Sequence, residues 1–282
     1  MHPSVSPEVS WSFEPTVLAG MAIIQGLYVV AWRRARATGA VHRPGWGRMA
    51  LFSGGILVVL IALVSPIDAL AEQLLLMHMV QHVLLLDIAP ILCILGTNKV
   101  LLRPITRRIT VIERRAGYLA HPVFAVVLYT GVMWGWHVPS MYDAALRNTG
   151  VHAFEHLCFG IAGSLYWWHL LSPIRGRMRL RGMGPIAYMT ATKLLVGALG
   201  IVLSFAPASF YAFYAHHPYY WGLSPQNDQS LAGLVMALEQ SVVMGIALVY
   251  LFTKMLGESE SDAQRAERYE VAGDVPVGSA GR

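Results

Sequence analysis

Residues 74–96 read LLLMHMVQHVLLLDIAPILCILG. Coiled as an α-helix, an apolar run of this length spans the roughly 30 Å of hydrocarbon in a bilayer. It also carries His78, Gln81, His82 and Asp87, polar groups that a purely structural membrane helix has no reason to place there. His78 and His82 are four residues apart, so a helix projects them from nearly one face, where they can converge on a ligand if another element supplies partners. Asp87 lies nine residues past His78, which an unbroken helix turns to about the opposite face. Pro90 lies inside the run and is expected to bend it.

The rest of the chain has the same character. Its 282 residues are 55% hydrophobic and 13% charged, with a mean hydropathy of +0.50, which excludes an ordinary soluble domain. Seven apolar segments can be read, at 16–32, 49–65, 70–95, 120–136, 151–171, 185–205 and 230–253. The fold class is therefore all-α, a polytopic bundle of seven transmembrane helices over residues 16–253. Residues 1–15 form an extracytoplasmic segment and 254–282 a polar tail, expected to be disordered in the cytoplasm. No basic region precedes the first apolar run, so no cleavable signal is expected. The net charge of +5 does not indicate nucleic acid, because the basic residues sit in loops between spans. Residues 33–48 hold five Arg, 97–119 six basic residues beside Glu113, and 172–184 four Arg, whereas the intervening loops share only Arg147. The basic loops belong in the cytoplasm, which places the N-terminus outside and the C-terminus inside. Cys93 and Cys158 fall within apolar spans and form no CxC or CxxC pair, so neither a disulfide framework nor a Cys metal motif is expected.

With that orientation, the helical rise puts His78 roughly 12 Å below the outer boundary and His82 one turn deeper. The fifth span opens VHAFEHLCF, where His152 and His156 repeat the pairing at about 2 to 10 Å depth, with Glu155 beside them. Met236 and Glu239 of the seventh span reach roughly 10–15 Å from the same side. His137 ends the fourth span at the outer surface. A bare imidazole or charge facing lipid costs several kcal/mol, so these groups are expected to turn inward and satisfy one another, an ion or water. A single His in a span is ordinarily a hydrogen-bonding residue between helices; two pairs at compatible depth point to a metal or haem. The metal candidates are His78, His82, His152, His156, His137, Glu239 and Met236. Imidazole suits copper, zinc, iron or nickel, and the thioethers of Met77, Met79, Met133, Met141 and Met236 near this side favour Cu(I). Asp87 and Lys193 are expected to pair with each other, and Asp143 and Asp228 to cap helices or attract cations. His216-His217, in FYAFYAHHPYYWG, reads as part of an aromatic interface anchor.

Three motifs in order, MHMVQHVLLLDIAPILCILG, WHVPSMYDAALRNTGVHAFEHLCFGIAGSLYWWHLL and NDQSLAGLVMALEQ, resemble the CtaG-type cytochrome c oxidase assembly family associated with caa3-type oxidases. The resemblance covers residues 65–253. It implies a non-enzymatic, multi-pass protein of the bacterial plasma membrane that helps deliver copper to a haem–copper oxidase, with oxidase subunit I as recipient. His78 and His82 match the first motif, and His137, His152 and His156 the second. Met236 and Glu239 fall where the third motif departs from the family pattern. Two other functions fit the same residues: a haem-binding electron-transfer bundle using two axial His, and a copper or proton transporter. Lipid is the expected surroundings, and the oligomeric state is left open.

Overall fold

The structure, a computed structural model, describes residues 5–39, 43–174, 180, 182–215 and 217–273. Among the described residues the regular secondary structure is all helix, apart from one isolated bridge, Val5 to Tyr220. In chain order the helices are α1 (Pro15–Ala37), α2 (Trp46–Val64), α3 (Pro66–Ala71), α4 (Leu75–Leu95), α5 (Lys99–Ala116), α6 (Pro122–Trp136), α7 (Pro139–Arg147), α8 (Thr149–Leu171), α9 (Gly184–Phe205), α10 (Ala212–Ala215) and α11 (Pro225–Gly273). Proline opens α1, α3, α6 and α7, where its fixed φ suits the first turn and its missing N–H costs nothing.

Among the described residues, five helices are long and apolar enough to cross a membrane: Pro15–Ala37, Trp46–Val64, Leu75–Leu95, Gly184–Phe205 and Pro225–Gly257. Lys99–Ala120 and Pro122–Trp136, bent by 64° at their junction, make a sixth if they count as one span. The seven expected segments are helical, but not all pass that test. Pro122–Trp136 has only 15 residues, and Thr149–Leu171, with 23, carries His152, Glu155, His156 and His169. The expected span 70–95 is broken near its start, because α3 ends at Ala71 and α4 begins at Leu75. The basic stretch 97–119 is mostly helix rather than loop. On α5, Arg103, Arg107 and Arg114 fall on one side and Ile105, Ile109 and Ile112 on the other, the pattern of a helix lying in a membrane surface. The Arg residues of 172–184 lie outside the described residues. Helix α11 continues to Gly273, through much of the polar tail, and residues 274–282 are likewise outside.

Helix α4 is the axis of the bundle. It is 56% buried, against 11% for α1, and it packs on α2, α3, α8 and α11. Its ends are held by charge. The Asp228 carboxylate, from the first turn of α11, accepts from Leu75 N at 2.7 Å and Leu76 N at 3.0 Å. At the other end the Arg48 guanidinium donates to the Leu95 carbonyl and, at 3.0 Å, to that of Thr97. A carboxylate at a helix N-terminus and a cation at its C-terminus both oppose the backbone dipole. Asp228 is thus a cap, and it is only 3% exposed. Asp228→Ala is expected to cost about 1–3 kcal/mol, since two buried amides lose a charged acceptor. Thermal unfolding of the purified protein in detergent measures this, and an unchanged midpoint would remove the capping role.

Gln81 is also structural, donating to the Ala62 carbonyl at 2.8 Å and to Asp68 at 2.9 Å, which fixes α4 against α2 and α3.

In the middle of α4 the residues Leu84–Ile88 form one π turn, with Ala89 N–H bonded to the Leu84 carbonyl five residues back. The extra residue per turn shifts the helix phase. Asp87 therefore does not face away from the histidines; it lines the same small cavity as His82. Nor does Asp87 pair with Lys193. Its carboxylate accepts from Tyr129 Oη at 2.8 and 2.9 Å and from Trp167 Nε1 at 2.6 Å. Glu239 lines the same cavity as Asp87. Helix α8 meets the π turn closely, because Gly163 lies against the backbone of Leu86.

Candidate metal centre

The i, i+4 pairs on α4 and α8 meet. His78, His152, Glu155 and His156 each offer a ligand atom, and these atoms all lie within 4.8 Å of one another. Helical spacing explains the α8 set, since residues at i, i+3 and i+4 share one face. Asn148 caps this helix, its Oδ1 accepting from Gly150 N at 2.9 Å and Val151 N at 3.1 Å, so the set is presented by a well-anchored first turn.

Glu155 is the hinge of the geometry. Its Oε2 is 3.7 Å from His78 Nε2 and its Oε1 is 3.6 Å from His82 Nε2. The imidazoles crowd round it, with ring centroids 4.2 Å apart for His152 and His156, 4.3 Å for His78 and His82, and 5.2 Å for His78 and His152. His78 and Glu155 are fully buried and His82 is 2% exposed, whereas His152 and His156 are half-buried. The site therefore opens along α8 and closes against α4. Tyr142 covers His78 at 4.9 Å and stacks on Tyr211, whose hydroxyl donates to the His137 carbonyl at 3.1 Å. Phe159 lies under His82 at 4.1 Å.

These donors lack protein partners. Both ring nitrogens of His78 and His82, Nε2 of His152 and His156, and both Glu155 oxygens are buried without a hydrogen bond. Buried polar groups are normally satisfied, and leaving one unmet costs about 1–3 kcal/mol. A cation at the centre would satisfy several at once. The residues present thus fit a metal: three neutral imidazoles and a carboxylate, with a fourth imidazole alongside, are donors for a first-row transition ion.

Other expected ligands fall elsewhere. His137 sits 5.9 Å from His82 by ring centroid and turns to the far side, with Nδ1 2.6 Å from the Met133 carbonyl and Nε2 3.1 Å from Met79 Sδ. Met236 and Glu239 line the cavity below His82, and Glu239 Oε2 accepts from Gln240 at 2.9 Å. Of the His216-His217 pair, His216 lies outside the described residues, and His217 packs among Phe213, Tyr214 and Tyr220. Glu155 belongs with the histidines as closely as any of the expected ligands, and the spacing H-x-x-E-H carried that signal.

The sequence profile of the cytochrome c oxidase caa3 assembly factor family, Caa3_CtaG, matches residues 26–258. The chain belongs to this family. The match takes in α2 to α10 and the C-terminal half of α1, so α4 and α8, which carry the metal-type cluster, lie wholly within it. Among curated proteins, an uncharacterized protein of Mycobacterium leprae (strain TN) is 22% identical over 92% of the chain, and one of Mycobacterium bovis (strain ATCC BAA-935 / AF2122/97) is 23% identical over the same share. The chain spans 41% of the length of each of these relatives. No solved structure matches it.

Proposed function

We propose that this chain is a non-catalytic copper-handling assembly factor, embedded in the bacterial plasma membrane by seven spans with its N-terminus outside. Copper is its cargo, taken up at His78, His152, Glu155 and His156 and passed to a haem–copper oxidase, with subunit I as recipient. The carrying observation is the convergence of unpartnered, buried N and O donors from two helices on one point. Family membership supports the assembly role. Imidazoles with centroids 4.2–6.3 Å apart suit a small ion and leave no room between them for a porphyrin. The basic face of α5 supports a cytoplasmic side rich in anionic headgroups. The half-buried edge at His152 offers a path for the ion from the opposite, extracytoplasmic side.

The experiment is replacement of the chromosomal gene by the His78→Ala/His156→Ala double variant. The expected result is a variant present in membranes at wild-type level while the oxidase in those membranes loses copper and activity. Oxidase with its full copper content would overturn the reading.

A further inference from the structure

Below the histidine cluster lies a second group of soft donors that the cargo site does not use. His137 closes the C-terminus of α6 and is 5% exposed. A carbonyl can only accept, so the 2.6 Å contact between Nδ1 and the Met133 carbonyl fixes the proton on Nδ1. The neutral ring then presents a lone pair at Nε2, and that atom faces Met79 Sδ, also a lone-pair donor, at 3.1 Å. No hydrogen lies between them unless the ring carries a charge into the apolar core. Two donors that both lack a proton, buried and aimed at one point, are the arrangement a cation would resolve. Metal bonds of about 2.0 Å to imidazole and 2.3 Å to sulfur, meeting at near-tetrahedral to right angles, set nitrogen and sulfur about 3.0–3.5 Å apart.

Met79 also borders a cavity of about 10 Å³ that it lines with Met133, Met236 and His82 but not with His137, so α4, α6 and α11 each send a thioether to it. All three are at most 5% exposed. His82 stands at the boundary: both its ring nitrogens are unpartnered, it approaches Glu155 above at 3.6 Å, and it borders the cavity below. Asp87 and Glu239 also line this cavity.

We propose that Met79, His137, Met133 and Met236 form a second cation site, specific for a soft monovalent ion, Cu(I), which receives copper from the histidine cluster by ligand exchange through His82. Neutral thioethers and imidazole select Cu(I), whereas the upper site, with its carboxylate, also accepts divalent ions. The ion keeps its charge throughout, so the transfer needs no oxidant or reductant. The transfer step rests on the copper reading above; the existence of the lower site does not.

The test is anaerobic loading of the full chain in lipid nanodiscs with Cu(I), buffered by bicinchoninate, followed by copper X-ray absorption. Wild type is expected to bind about two Cu(I) per chain, with sulfur in the shell near about 2.3 Å. Met79→Leu/Met236→Leu, a volume-conserving change, is expected to bind about one, coordinated by nitrogen and oxygen alone. Met133→Leu alone is expected to lower the sulfur count. His78→Ala/His156→Ala is expected to keep the sulfur-bound ion. A wild-type shell without sulfur, or sulfur unchanged by the Met variants, overturns the second site and leaves the histidine site intact. Sulfur-bound copper alone, unaffected by the His variant, overturns the histidine site and leaves the second. Absence of copper from wild type overturns both.

Discussion

Glu155→Gln is expected to weaken copper binding by on the order of 10–100-fold while making the metal-free protein more stable. The two effects have one origin. Glu155 is fully buried, touches His78 and His82 only at 3.6–3.7 Å, and has no hydrogen bond at either oxygen. Without a cation its buried carboxyl group has its desolvation poorly repaid. With one it supplies the negative charge that neutral imidazoles lack. Glutamine keeps the shape and removes the charge, so it relieves the apo protein and deprives the ion. A merely structural Glu155, bridging two helices through its histidines, would behave in the opposite way, with stability falling on substitution. Chelator competition gives the affinity and thermal unfolding of metal-free protein gives the stability. Equal copper affinity, or a fall in both quantities, would exclude the role assigned here.

The histidine cluster was legible in the sequence because it depends on regular helix geometry: His78 with His82, and His152 with His156, stand at i, i+4, and α4 and α8 are α-helical across both pairs. Asp87 was not legible, since one π turn between it and His82 shifts the phase on which the opposite-face reading rested. Glu239 was placed by depth alone. Depth does not fix azimuth, and the rotation of α11 brings Glu239 to the cavity that Asp87 and His82 line, outside the set formed by His78, His152, Glu155 and His156. The basic stretch 97–119 was read for charge and not for period, so the amphipathic helix α5 within it went unseen. Asp228 could be named as a cap, but its target, a helix start some 150 residues away, is a tertiary fact.

Gly163→Ala is expected to be the most damaging single methyl in the bundle. A Cβ at Gly163 would stand 1.9 Å from the Leu86 carbonyl oxygen and 2.7 Å from its carbon. Both are backbone atoms, so no rotamer change relieves the clash, and α8 must move away from α4. The obstacle is itself a product of sequence. Pro90 has no N–H, so the Leu86 carbonyl four residues earlier has no α-helical donor, and it stands within the π turn where α8 passes. The contact lies one turn below His82 and two below His156, so separating the helices there also separates the ligand pairs. Overpacking of this kind costs about 1–3 kcal/mol and occasionally more. The expected result is a lower unfolding midpoint together with weaker copper binding, although no ligand has changed. Pro90→Ala restores the missing donor and should draw the Leu86 carbonyl back into a regular helix. The cost of Gly163→Ala should then be smaller in the Pro90→Ala background, a coupling that a double-mutant cycle measures directly. Strictly additive costs would mean that Pro90 does not set the carbonyl against Gly163, and that the approach of α8 to α4 has another cause.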